Sequence, residues 1–333
     1  MRRASLEDIA QLASMCHSLW PDGSIQEHAR ELSRLLTVTA SLMNRRELFR
    51  SMAAAAGAAI TGVSWRATRT GAFSASQGAA YRPWREASES SGLYRALHAA
   101  ILAASPHRHT NRGPFQSHRA VAGSALDAIS RLNSEPDQIH VRFWTESPQQ
   151  IRELMIAAAQ AVIADRQQNR DSASWFRPTP EAIALHRDGT TIDAQGLSPV
   201  MTTVAKLLPG PSDSFADRVF LKRTREVYCG PGAIFGTILV KAPCSKSARV
   251  CVGRLWQRMH LWGTAHGIAM QPINQIHERI DREATSRAST TFTRDLSNLI
   301  GEPEWRGVFS FRMGYAQRPA LPSPRRDLAA CLI

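Results

Sequence analysis

The stretch HRHTNRGPF, residues 107–115, brings His107, Arg108, His109 and Arg112 together around Thr110 and Asn111. An H-x-H pair offers two imidazoles to a metal, but no third ligand stands at a recognisable spacing, so no metal site is expected. Two guanidinium forks with small polar groups between them suit a phosphate or a polyol chain. A third reading is structural. An apolar helix reaches Ala104 and breaks at Ser105-Pro106, so the stretch also reads as a junction between two pieces of sequence.

Three further phrases carry polar groups in settings able to position them. In SASWFRPTPEAIALHRDGTTIDAQGL (172–197), Thr179-Pro180 and Ser198-Pro199 just beyond it are helix-start signals. In GRLWQRMHLWGTAHGIAMQPINQ (253–275), Gln271, Pro272 and Asn274 follow a short apolar strand at 268–270. In GYAQRPALPSPRR (314–326), Arg325 and Arg326 end a stiff Pro-Ser-Pro segment. Trp256, Met259, His260 and Trp262 recur at helical spacing and read as core. The sequence lacks the G-x-S-x-G of a serine hydrolase, and no side chain stands out as a covalent catalyst.

The elements that must hold these groups follow from periodicity. Val141 and Phe143 alternate in a strand over 140–145, and Ser147-Pro148 starts a helix through Ile151, Leu154, Ile156, Ala158 and Val162. The apolar run at 234–240 predicts a buried strand. A long helix is expected over 247–267 and another strand over 308–311. The class is therefore α+β, a sheet flanked by long helices.

Composition narrows the partners. With 333 residues, 43% hydrophobic and 21% charged, the chain is globular. Its net charge of +13 is almost all arginine, since Lys206, Lys222, Lys241 and Lys246 are the only lysines. That arginine is spread along the chain rather than gathered in a stripe, which argues against a nucleic-acid partner. The five cysteines, Cys16, Cys229, Cys244, Cys251 and Cys331, form no C-x-x-C pair and give neither a disulfide framework nor a zinc site.

The N-terminal third reads as separate pieces. Residues 1–42 suggest a short strand and helical material, with Ser24 capping a helix that carries Ile25, His28, Leu32, Leu35 and Leu36. Leu19-Trp20-Pro21 and the run His28 to Leu32 resemble the opening of aminoglycoside N-acetyltransferases of the GNAT superfamily, without the acetyl-CoA loop of that family. From Met43, Arg45-Arg46 and an apolar run from Met52 to Val63 form a Tat-type signal over 43–66, too short to span a membrane. Translation starting at Met43 implies the Tat translocase as partner and a periplasmic or extracytoplasmic location; otherwise the protein is cytoplasmic. Residues 67–92, rich in Ser, Gly, Ala and Arg, are expected to be a linker before a folded domain at 93–333.

The order and wording of the four polar phrases resemble the Acg-like branch of the nitroreductase family, FMN-binding oxidoreductases that often carry a Tat signal. The resemblance implies a nitroreductase-like mixed sheet flanked by long helices and hydride transfer from NAD(P)H through flavin to a small electron-poor acceptor. It also implies a cofactor site of Arg108, Thr110, Asn111, Arg112, Gln271, Pro272, Asn274, Arg325 and Arg326. In that family a phrase like P-H-N-T-Q-P-W and a segment of sheet and helix separate the first helix from the phrase P-H-R-H-T-N-R. Here the two P-H dipeptides are merged at 107/108, so the domain is expected to be incomplete and to bind FMN weakly or not at all.

Overall fold

The computed structural model describes residues 24–27, 29–30, 33, 67, 69–104, 110–145, 148–208, 212–241, 245–286 and 290–331. The expected Tat-type signal at 43–66, most of the acetyltransferase-like stub, the 107/108 junction and Arg108 lie outside them. The chain divides into two compact units, Met1–Ala75 with Pro178–Glu181 and Leu197–Pro209, and Ser76–Arg177 with Ala182–Gly196 and Gly210–Ile333.

In chain order the helices are α1 (Arg82–Glu89), α2 (Gly92–Ile101), α3 (Gly123–Ser130), α4 (Pro148–Ala164), α5 (Arg166–Ala173), α6 (Pro180–His186), α7 (Pro199–Leu207), α8 (Asp213–Arg223), α9 (Lys246–Ala265), α10 (Gln275–Ser286) and α11 (Thr291–Ile300). The strands are β1 (Ile139–Phe143), β2 (Phe176–Arg177), β3 (Thr190–Thr191), β4 (Ile234–Lys241), β5 (Ala269–Pro272) and β6 (Trp305–Gly314). Four strands form one sheet in the order β1-β4-β6-β5, with every pairing antiparallel, while the short β2 and β3 pair in parallel. The fold is α+β, its sheet flanked by helices on both faces. Both directions of pairing occur, and among the described residues the parallel one is confined to that two-stranded ladder.

Side-chain alternation along β4 and β6 explains the layering. On one face Ile238, Val240, Phe311 and Met313 pack with Val252, Leu255, Trp256 and Met259 of α9 and Ile129 of α3. On the other, Phe235 and Leu239 meet Ile151, Leu154, Met155 and Ala158 of α4, Ile276 of α10, and Leu296 and Ile300 of α11. Gly236 allows one close approach, because a Cβ there would lie 2.3 Å from Phe311 Cζ. The residues set aside as core behave as core: Trp256, Met259 and His260 are buried, and Trp262 stacks on His266 at 3.8 Å.

Residues 79–89 differ from the expected linker. A 3-10 turn at Ala79–Tyr81 leads into α1, with Pro83 in its first turn and buried. Proline fits there because its missing N–H is one the helix start leaves unbonded. In the other unit, Ser24 caps as expected and Glu27 returns the bond: Glu27 N donates to Ser24 Oγ at 3.2 Å and Ser24 N to Glu27 Oε2 at 2.8 Å. Ser198 likewise caps α7, accepting from Met201 N at 3.3 Å. Among the described residues no helix is long and apolar enough to cross a membrane.

Candidate functional site

Residues 110–117 run beside the edge of the sheet. Asn111 N donates to Met270 O at 3.3 Å, Gln116 N to Tyr315 O at 2.8 Å, and Phe115 bridges Ala316. The segment is pressed against Gly196, where a Cβ would sit 2.3 Å from Gly113 N, and Gly196 has φ 65°. Only glycine fits both demands.

Within this segment Thr110, Asn111 and Arg112 are all buried. The Asn111 amide is turned inward, its Nδ2 donating to Arg318 O at 2.8 Å and its Oδ1 accepting from Gly113 N at 2.9 Å. The Thr110 hydroxyl is buried without a hydrogen-bond partner among the described residues.

Gln271 and Pro272 lie on β5 opposite Arg312 and Phe311 of β6. Gln271 Oε1 accepts from Arg312 Nε at 2.7 Å. Asn274 Oδ1 accepts from Ser310 N at 3.0 Å, and Ile273 N donates to Ser310 O at 2.8 Å, so Asn274 closes the end of the β5–β6 ladder. These amides tie the sheet edge together.

The two C-terminal arginines are anchored as well. Arg325 is fully buried; its Nη1 donates to Ser323 Oγ at 2.6 Å and its Nη2 to Leu102 O at 3.2 Å and Ala103 O at 3.5 Å, just past the C-terminus of α2. A guanidinium there meets carbonyls that the helix leaves unbonded. Its main-chain N donates to Ala80 O, and Trp84 Nε1 donates to Ser323 O, so the 322–327 segment is strapped to the N-terminal side of its own unit. Arg326 Nη2 pairs with Asp188 Oδ2 at 2.7 Å, and Arg177 Nη2 pairs with Asp188 Oδ1 at 2.7 Å. Burial alone would raise the Asp188 carboxyl, but the two arginines outweigh it and hold the pKa below the usual carboxylate value.

The sequence reading missed a second cluster. Arg312, fully buried on β6, donates to Val227 O at 2.7 Å, Gly113 O at 2.7 Å and Asn111 O at 3.3 Å besides Gln271, and it lies over the Phe115 ring at 4.1 Å. Arg223, at the end of α8, donates to Gln195 O at 2.6 Å and Arg112 O at 3.1 Å. After Arg223 the helix widens into a π turn, Cys229 N bonding Thr224 O at 2.7 Å, and Tyr228 is carried into the interior beside both arginines. Burial lowers the Arg312 pKa to about 9, with Tyr228 opposing that shift and Arg223 adding to it. Arg112 is lowered by burial too. Burial would raise the Tyr228 phenol, yet Arg223, Arg112 and Arg312 together hold it below its usual value. The signal available in the sequence was Arg312 itself, a charge at an inward-facing position of an alternating strand.

A third set of buried polar groups crosses the sheet. Trp144 Nε1 donates to Thr237 Oγ1 at 2.9 Å, Thr237 is hydrogen-bonded to Ser310 Oγ at 3.1 Å, and Ser310 Oγ to His277 Nε2 at 2.8 Å. Among the described residues no group of three or more His, Cys, Asp or Glu is placed to hold a metal ion. An open groove of about 570 Å³ is lined by Gln150, Glu153, Leu154 and Ala157 of α4 and by Asp295 and Leu299 of α11, and it contains none of the expected cofactor residues.

No family model matches the chain, and no curated protein matches it. Among solved structures it is similar to a nitroreductase with bound FMN from Desulfitobacterium hafniense DCB-2, at 15% identity and TM-score 0.41, over 71% of this chain and 95% of that one. An FMN-dependent nitroreductase from Mycobacterium smegmatis in complex with NADPH is similar at 15% identity and TM-score 0.40, over 72% and 98% of the two chains. A nitroreductase with bound FMN from Bacteroides fragilis NCTC 9343 is similar at 15% identity and TM-score 0.40, over 68% and 93%. Likenesses this weak carry no conclusion about function.

Proposed function

We propose that this chain is a nitroreductase-type protein of the Acg-like branch in which FMN-dependent hydride transfer from NAD(P)H to a small electron-poor acceptor is weakened or lost. The observation that supports this most is the engagement of Asn111, Gln271, Asn274, Arg325 and Arg326 by the protein itself. A bound flavin needs its phosphate gripped and its ring edge hydrogen-bonded. Each such contact would first have to be released from an internal hydrogen bond of roughly 0.5–1.5 kcal/mol, or up to about 3 kcal/mol where a charge is involved. The residues present therefore do not fit a complete FMN site, and no step of hydride chemistry is assigned to them. The role left to the fold is that of a flavin-free binding or sequestering protein. The absorption spectrum of the purified full chain tests this: protein without a flavin band is expected, and a stoichiometric flavin band overturns it.

A second reading, a working FMN oxidoreductase, is favoured by one observation, the buried Thr110 hydroxyl that lacks a hydrogen-bond partner among the described residues. The proposal also includes translation from Met43 and export through Tat, with residues 1–42 dispensable to the folded protein. Replacing Arg45 and Arg46 by Lys in a chain begun at Met43 should strand it in the cytoplasm, because the pair is read by a receptor rather than as charge. Export equal to that of the parent would refute the Tat assignment.

A further inference from the structure

The long helix α9 carries four cations, Lys246, Arg249, Arg254 and Arg258, and no acidic residue. All four are exposed. Arg258 donates to Leu132 O at 3.3 Å and to Ser134 Oγ at 3.0 Å, and among the described residues none of the four pairs with a carboxylate. The helix turns Val252, Leu255, Trp256 and Met259 into the core. Its opposite ridge, where residues three and four apart stand in line, runs Lys246, Val250, Gly253, Gln257, Leu261 and Thr264. Val250 is 56% exposed and Leu261 66%, and a Cβ at Gly253 would meet nothing within 4 Å. Arg249 flanks this ridge on one side, Arg254 and Arg258 on the other. The outward face is an apolar crest between cations.

The end of α2 meets the ridge at Gln257, whose Oε1 accepts from Ala104 N at 3.1 Å and whose Nε2 donates to Ala104 O. α2 also lacks acidic residues, none of its residues is buried, and Leu93 and Tyr94 are 74% and 67% exposed. Large apolar side chains standing in water among cations suit a partner that is anionic at its surface and apolar beneath.

We propose that the outward face of α9, with α2 beside it, docks on a bilayer surface bearing anionic headgroups. Val250 and Leu261 enter the headgroup layer, while the four cations stay level with the phosphates on their long stems. Charge selects this partner over the others. A second copy packed through the same face would set two rows of cations together, with no carboxylate on either helix to offset them. An acidic protein would need fixed carboxylates matched to cations spread over about 18 Å of helix, whereas lipid phosphates move to meet them. A nucleic-acid duplex offers phosphates but nothing to cover Val250 and Leu261. This surface contains none of the residues assigned to a flavin, so it stands whether or not one binds.

The test is co-sedimentation of the full chain with vesicles of phosphatidylcholine, alone or with about one-third phosphatidylserine, at rising salt. Binding is expected on the anionic vesicles only, and it should weaken as salt rises. Each cation near such a surface contributes about fivefold in affinity, so Arg249→Gln with Arg254→Gln should weaken binding about 25-fold. That variant should melt with the parent, because among the described residues neither side chain has a hydrogen bond or ion pair to lose. Arg249→Lys with Arg254→Lys should bind like the parent, since mobile phosphates accept either cation, whereas a site of fixed carboxylates would distinguish them. Leu261→Ser should weaken binding roughly tenfold. No binding to the anionic vesicles, or equal binding to phosphatidylcholine alone, overturns the proposal. So does undiminished binding in the double Gln variant, the result expected if the basic and apolar residues 43–66 made the contact instead. A dimer in gel filtration without lipid, broken by Leu261→Ser, would assign the face to a second copy and overturn it as well. Vesicle binding and flavin absorption are separate measurements, so a failure here and a failure of the flavin-poor reading are distinguishable.

Discussion

Acidification should expose the buried chain that ends at His277. Burial lowers this imidazole from its ordinary 6.5 to about 4, opposed in part by a hydrogen bond with the Gly307 main chain. The neutral ring is hydrogen-bonded to Ser310 inside the sheet–helix interface, where a Cβ on Gly307 would come within 3.4 Å of His277 Cε1. In the unfolded chain the ring takes up a proton below its ordinary value, while the folded chain resists until about 4. The unfolded state thus binds more protons between those limits, and stability falls as pH falls through that window. At about 1.4 kcal/mol per pKa unit the stability at stake is about 3 kcal/mol, fully present above pH 6.5 and lost by about pH 4. Urea unfolding midpoints at successive pH values measure it. His277→Gln, which has no proton to take up in this range, should be less stable at pH 7 but should lose the part of the slope due to this ring. An unchanged slope in His277→Gln between pH 6.5 and 4 would refute the reasoning.

Three substitutions probe the frame around the site. Arg312→Met leaves Gln271 Oε1 and three carbonyls buried without their donor and should lower stability by about 3–5 kcal/mol in urea; a loss below about 1 kcal/mol would mean that the site repacks without the charge. Gly196→Ala forces a Cβ to 2.3 Å from Gly113 N at a positive φ and should cost at least about 1–3 kcal/mol, read from the melting temperature; parent-like melting would show that the 110–113 segment is not pinned there. Asp188→Asn removes the carboxylate shared by Arg177 and Arg326 and should make the C-terminal strap cleave faster in limited proteolysis, with about 3–5 kcal/mol less stability; an unchanged cleavage rate would show that the Arg326–Asp188 pair does not hold the strap.

The parts of the fold legible in the sequence are those whose own side chains alternate. β1, β4 and α9 lie within a residue or two of their expected ranges because Val141, Ile238 and Leu255 follow the period of their elements. β6 was visible only at 308–311, although it runs Trp305–Gly314, since Arg306, Gly307 and Arg312 interrupt the apolar pattern. α1 was hidden because a composition rich in Ser, Gly, Ala and Arg read as a linker, whereas Pro83 falls in the first turn, where proline is compatible with a helix. At the candidate site, residue types were legible but partners were not. Arg326 finds its carboxylate 138 positions away in Asp188, and Arg325 is held largely by main-chain carbonyls, which carry no signature in side-chain sequence. Arg223 and Tyr228 came together through a π turn, a backbone irregularity that helical periodicity does not announce.

Titration of the purified full chain with FMN, followed by quenching of flavin fluorescence, tests the central claim most directly. With the amides of Asn111 and Asn274 and the guanidiniums of Arg325 and Arg326 held by the protein, binding should be weak and far from stoichiometric, and on the proposed reading of 107/108 as a junction, inserting there the segment that the resemblance implies should restore a yellow protein. Stoichiometric, sub-micromolar binding of FMN by the unmodified chain would contradict the account.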